Sequence, residues 1–259
     1  MSAFILCQTR KAGRPYYIEN IRTNIYTIEE LCYYLCNNLY LVDSTIMNEE
    51  LCTWLGEELG LQALAYKMRG LVGKYTAEAD MLYPIFREIN YLTYEEMKDL
   101  NARLTKLEKE TPLVREKKKV DTLMKNEMYV QAIRGYQMLL GKPEMEEEGE
   151  FKAAIMNNLG CAFARLFQMD RAADCFRKAF ETCGNKEYLK SFLLAYRSVR
   201  TPIEYASVQA ELGVDAKVIS EVSEELEHFA RKPEPQVYIQ HVDEILERLT
   251  SEYHRSTGA

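Results

Sequence analysis

The sequence predicts an all-α fold, and three observations carry that prediction. Apolar residues recur at spacings of three and four along most of the chain, as one buried helix face requires. The capping-box pattern Thr-x-x-Glu recurs at Thr27, Thr93 and Thr201, where a hydroxyl and a carboxylate each satisfy a backbone N–H of the other's residue. The 259 residues include only 12 Gly and 7 Pro, too few for the turn every 8–12 residues or so that a sandwich or barrel needs. At 47% hydrophobic and 28% charged, the chain is apolar enough to bury a core and too apolar for a disordered one.

Residues 4–26 are the least helical part. Phe4-Ile5-Leu6-Cys7 and Tyr16-Tyr17-Ile18 flank Lys11-Ala12-Gly13-Arg14-Pro15, which reads as a short hairpin or an irregular arm. Thr27 then caps a helix whose stripe is Ile28, Leu31, Leu35 and Leu39, and Asp43-Ser44-Thr45 breaks it. Leu51, Trp54, Leu55 and Leu59 mark the next helix, stopped by Gly60. Leu61 to Val72 reads as a third, closed by Gly73, and Tyr75 to Leu92 contains a fourth that Pro84 kinks or starts. Thr93 caps a charged helix with a narrow stripe at Met97, Leu100, Leu104 and Leu107. Thr111-Pro112 restarts the chain, with proline at the first helical position, where its missing N–H costs nothing. These features place residues 1–92 in an N-terminal helical domain and 93–259 in a second domain, divided near Tyr91 to Thr93.

The stretch Ala153 to Phe180 carries the clearest motif. Met156, Leu159-Gly160 and Phe163 lie on a first helix, Asp170 precedes a second, and Ala172, Phe176 and Ala179 lie on that second. This arrangement resembles a tetratricopeptide repeat (TPR), a pair of antiparallel helices of about 34 residues. The resemblance implies that Gly160 and Ala172 lie where the two helices cross and that Phe163 and Phe176 fill the space beside them. A weaker copy lies upstream, with Ala132 in the place of Ala172 and Tyr136 in the place of Phe176, while Val120 replaces the glycine. The two copies stand 40 residues apart, and the excess falls in a lengthened loop over Gly141 to Glu150. A degenerate third unit runs from Tyr188 through Gly213, and helices over Val218 to Phe229 and Val237 to Tyr253 cap the array. The resemblance covers residues 112–213 and implies a short α-α superhelix after the N-terminal domain.

Such repeats line a concave face with their first helices, where extended peptides or partner helices lie. The resemblance therefore implies a groove formed by Lys117, Asp121, Ala154, Asn157, Asn158, Cys161 and Arg165. The clamp by which chaperone-binding members hold a C-terminal carboxylate matches at Lys117 and Asn158 only. Asp121 opposes a carboxylate at that clamp, and Tyr188 and Phe192 stand where basic residues belong.

Other chemistries lack their residues. The sequence holds no phosphate-binding Gly-rich motif, no His-Glu-x-x-His and no nucleophile elbow. Cys32 and Cys36 share a helix face but lack the two further ligands of a metal site, so seven cysteines read as buried thiols in a reducing compartment. His228, His241 and His254 are spaced 13 apart, which does not keep them on one helix face. Paired acids such as Glu29-Glu30 read as caps and solvated faces. A net charge of −7 and a basic run of only Arg115 to Lys119, read as a solvated helix face, argue against nucleic acid. No stretch reaches the roughly 18 apolar residues of a membrane span. The tyrosines at 16, 17, 26, 33, 34 and 40 suggest a second surface, with self-association through Tyr33 or Tyr34, which cannot both face one core.

The expectation is a non-catalytic adaptor in the cytoplasm, without metal or cofactor, that binds another protein or a peptide in the groove. The alternatives are a structural subunit of a larger assembly and, less favoured, an enzyme or small-molecule sensor with a pocket between the two halves.

Overall fold

Local chemistry starts most helices where the sequence places them. The computed structural model describes residues 9–74, 78–146, 149–230 and 242–257. The hairpin is real: β1 (Tyr16–Ile18) pairs antiparallel with β2 (Thr23–Ile25), Tyr16 opposite Ile25 and Ile18 opposite Thr23. Tyr16 and Ile18 point into the core and Tyr17 points out, the period-2 alternation of a half-buried strand. The part of the expected arm before residue 9, including Cys7, lies outside the described residues.

Helix α1 (Ile28–Asn37) begins at Thr27, whose hydroxyl accepts from the Glu30 N–H at 3.2 Å while the Glu30 carboxylate accepts from the Thr27 N–H at 3.1 Å. Asn48 caps α2 (Glu49–Glu57), accepting from the Leu51 N–H. Helices α3 (Gln62–Leu71) and α4 (Glu78–Glu88) follow. Gly60 and Gly73 take the left-handed conformation that ends a helix. Pro84 neither starts α4 nor ends it, but lies inside. A proline there removes one helical hydrogen bond and costs about 3 kcal/mol. Its neighbours Leu82, Ile85 and Phe86 are fully buried, and their burial holds the helix through it. Thr93 caps α5 (Tyr94–Lys109) with the expected box. Thr111 caps α6 (Pro112–Lys125), with proline at its start.

Then come α7 (Tyr129–Leu140), α8 (Gly149–Arg165), α9 (Met169–Cys183), α10 (Lys186–Arg197) and α11 (Pro202–Glu211). The Thr201 box opens α11. The expected loop over Gly141 to Glu150 is partly structured: a 3-10 turn spans Pro143–Glu146, and α8 starts at Gly149. Met145, fully buried, pins that turn. Last are α12 (Ala216–Ala230) and α13 (Val242–Thr257). The expected start of the final helix over 237–241 lies outside the described residues.

The protein is thus all-α apart from one small hairpin. No described helix is long and apolar enough to cross a membrane. The chain divides into compact units at residues 1–205 and 206–259. No break in the core marks the boundary expected near Tyr91 to Thr93. One apolar cluster joins hairpin residues Tyr16, Ile18 and Ile25 to α1 through α4 and continues onto Leu100, Leu104 and Leu107 of α5, with Leu123 of α6 packed against it. From α6 to α10 each helix packs on the next, and α6 also touches α8. In the second unit, Val208, Val218 and Val222 are buried.

Candidate functional site: the α6–α8 face

The connections α6–α7 and α8–α9 are the same turn, 40 residues apart. The Glu127 N–H bonds the Met124 carbonyl and the Met128 N–H bonds that of Leu123. The Phe167 N–H likewise bonds Ala164, and the Gln168 N–H bonds Phe163. This is the Schellman helix stop, usually closed by a left-handed glycine. Here left-handed Glu127 (φ 61°) and Phe167 (φ 57°) close it. Each second helix then begins alike, with Ala132 N–H on Met128 and Ala172 N–H on Gln168.

Both helix pairs cross at a glycine, but on opposite helices. A Cβ on Gly160 of α8 would lie 2.6 Å from the Phe176 ring of α9. In the earlier pair, Val120 occupies the α6 position, and the room comes from Gly135 of α7. A Cβ there would lie 2.6 Å from a Val120 methyl. Gly135 was not singled out from the sequence.

Asp121 organises the expected groove. One carboxylate oxygen accepts from Lys117 at 2.6 Å; the other accepts from the Tyr136 hydroxyl at 2.6 Å and the Asn158 amide at 3.0 Å. Lys117 and Asp121 are mostly buried, at 17% and 25% exposure of their side chains. Burial pushes the Tyr136 phenol well above its ordinary pKa, and the hydrogen bond to Asp121 adds to that. Lys117, Asp121 and Asn158 are therefore engaged with each other. The opposition of Asp121 to a bound carboxylate is weakened, because its charge is already met. Tyr136 was missed as a site residue; its signal is a hydroxyl where the repeat's apolar position carries Phe176 in the other copy.

Four groove residues stay open. Ala154, Asn157 and Cys161 are half-buried on α8, and Arg165 is exposed at its end. The Asn157 amide oxygen is enclosed and accepts no hydrogen bond, a state that costs about 1–3 kcal/mol. Burial raises the Cys161 thiol pKa, against the pull of Arg165. Cys175, on the facing helix, is raised by burial to about 11. Both are free thiols. Among the described residues no group of three or more His, Cys, Asp or Glu is placed to hold a metal. His228 lies on α12; the side chains of His241 and His254 lie outside the described residues.

The basic run is not a solvated face. Lys117 pairs with Asp121, Lys118 with Glu110 and the Tyr40 hydroxyl, and Lys119 with Asp43 at 2.7 Å. Glu116 accepts from Lys142. The Asn126 amide donates to Asn38 at 2.6 Å. These bonds tie α6 to the segment after α1.

A second concavity, about 470 Å³, opens between the hairpin and α1. Ile18, Ile21, Ile25, Tyr33, Tyr91 and Glu29 are among its walls. Glu29, expected on a solvated face, is buried. Tyr34 is buried too, its phenol raised by burial to about 12, whereas Tyr33 is 65% exposed.

In comparison with known proteins, no family model, curated protein or solved structure matches this chain.

Proposed function

We propose that the helices from α6 onward form a TPR-like array and that the chain is a non-catalytic adaptor of the cytoplasm. Its groove holds an extended peptide or a partner helix. One observation carries this reading: the Asn158–Asp121 hydrogen bond joins the corresponding faces of α6 and α8 into one continuous surface. Two first helices side by side are the least that such a groove needs. The like turns at a 40-residue offset support the repeat.

The residues assigned to the partner are Asn157, Cys161 and Arg165, with Ala154 leaving room for its backbone. Lys117, Asp121 and Asn158 hold the two helices in register. The test is capture of partners from the native cell by the full chain and by an Asn157→Ala/Arg165→Ala variant whose helix content and melting temperature match wild type. A partner retained by the wild type and lost by the variant supports the groove. A partner held equally by both overturns it.

A further inference from the structure

A further concave site lies where α5, α6 and the turn after α1 meet, about 410 Å³ in volume. Its walls carry four cations: Arg103 and Lys106 from α5, Lys118 and Lys125 from α6. The spacings of three and seven residues put each pair on one helix face. The one carboxylate in the wall is Asp121, already paired with Lys117. Lys118 is matched by Glu110. Arg103 donates to the Cys36 carbonyl at 2.7 Å, which fixes the guanidinium, and it also lines a neighbouring concavity with Glu95, Glu96 and Asp99. Lys106 and Lys125 enter no salt bridge among the described residues, although the charge of Glu110 acts on Lys106 as well as on Lys118.

Three positive charges therefore face one small concavity in a chain whose net charge is −7. A cleft lined by one sign of charge focuses its field and concentrates the opposite ion. Leu39, Leu107 and Tyr40 supply an apolar wall beside the cations. The volume lies in the usual range for small-molecule sites, roughly 300–1,000 Å³, too small to admit a nucleic-acid duplex.

We propose that this cleft binds a small organic molecule bearing a pyrophosphate group, with its phosphates on Arg103, Lys106 and Lys125 and its body against Leu39, Tyr40 and Leu107. The charges match: phosphate ionises a second time near pH 6, so a pyrophosphate carries roughly three negative charges near neutrality. Arginine takes phosphate oxygens two at a time, and lysine serves as a point charge. The site needs no peptide in the groove and stands or falls separately from the adaptor reading.

Isothermal titration of the full chain tests it, with ADP, inorganic pyrophosphate and sulfate as probes. ADP and pyrophosphate bind wild type, ADP the tighter, and sulfate does not. Lys106→Ala/Lys125→Ala weakens both by about tenfold or more, the effect of losing charge-assisted hydrogen bonds. Lys67→Ala/Lys178→Ala removes the same charge from exposed positions elsewhere and leaves binding unchanged. Should the alanine pair melt early, Lys106→Gln/Lys125→Gln replaces it. Silence with both phosphate probes, sulfate binding as well as pyrophosphate, or equal loss in the control variant overturns the proposal. Pyrophosphate binding as tightly as ADP overturns the role given to the apolar wall.

Discussion

The α6–α7 and α8–α9 pairs share the same helix stop, yet are held together by different chemistry. The later pair is apolar at its crossing, with Gly160 under the Phe176 ring. The earlier pair is polar: Tyr136 stands where Phe176 does, and its hydroxyl reaches Asp121. The glycine that permits close approach has moved from the first helix to the second, with Val120 in place of Gly160 and Gly135 in place of Cys175. What the backbone requires is one missing side chain per crossing, and either helix can supply it. This also explains why the earlier copy looks weak as a motif: its glycine sits where the pattern does not look.

The largest way to break the comparison is to empty the apolar crossing. Phe176→Ala is expected to lower unfolding stability by about 3–5 kcal/mol in chemical denaturation. Tyr136→Phe, which keeps the ring and removes the hydroxyl, is expected to cost about 1–2 kcal/mol, because Asp121 loses one donor and keeps two. Equal losses would mean that the two crossings are not built differently. Filling the glycines is the next test. Gly160→Ala drives a methyl into the Phe176 ring, and overpacking of about 1–3 kcal/mol outweighs the gain in helix propensity. Phe176→Leu in the same chain is expected to recover part of that loss. Gly135→Ala is expected to be rescued likewise by Val120→Ala, and failure of either rescue would remove the crossing explanation.

The turns offer a smaller test of their sameness. Left-handed backbone is unfavourable for residues with a Cβ, so Phe167→Gly and Glu127→Gly are each expected to raise stability by about 0.5 kcal/mol, net of the added freedom of glycine unfolded. A loss at one and a gain at the other would show that the turns differ. Acid titration should give the weakest signal. Desolvation raises the Asp43 pKa, but the Lys119 ammonium and two bonds from Thr45 more than offset it, leaving the carboxyl below its usual value. A depressed carboxyl stabilises the fold above its unfolded pKa, about 3.9, and that contribution fades as pH falls through the lower folded value. The melting temperature of Lys119→Met should therefore fall less between pH 5 and pH 3 than that of wild type. Equal slopes would remove the pair from the account.

The local signals were legible because their partners lie close in sequence. Three capping boxes, the Pro112 start and the Ala153–Phe180 motif each depend on residues within one or two turns or one helix pair. The rest depends on distance. Lys118 and Lys119 looked solvated because Tyr40 and Asp43 lie 78 and 76 residues away. Glu29 looked like a surface acid because the hairpin before it, though legible, does not show in sequence how it packs beside α1. The expected division near Tyr91 followed a cap and a change to charged residues; the stripe Leu100, Leu104 and Leu107 is narrow, but it suffices to carry the core across. Of the expected groove, the mutual engagement of Asp121, Tyr136 and Asn158 was not legible, since they come from three helices.

Helix α6 serves two masters: Leu123 packs on the N-terminal core, and Val120 packs on α7. Helix pairs are often treated as interchangeable bricks, moved between proteins or trimmed from either end. This one cannot be lifted out at Pro112, because the cut would strand Lys118, Lys119 and Asn126 without Tyr40, Glu110, Asp43 and Asn38. Nor can the N-terminal half be transplanted without α6. Any recombination that keeps both halves whole must join the chain after the α6–α7 pair.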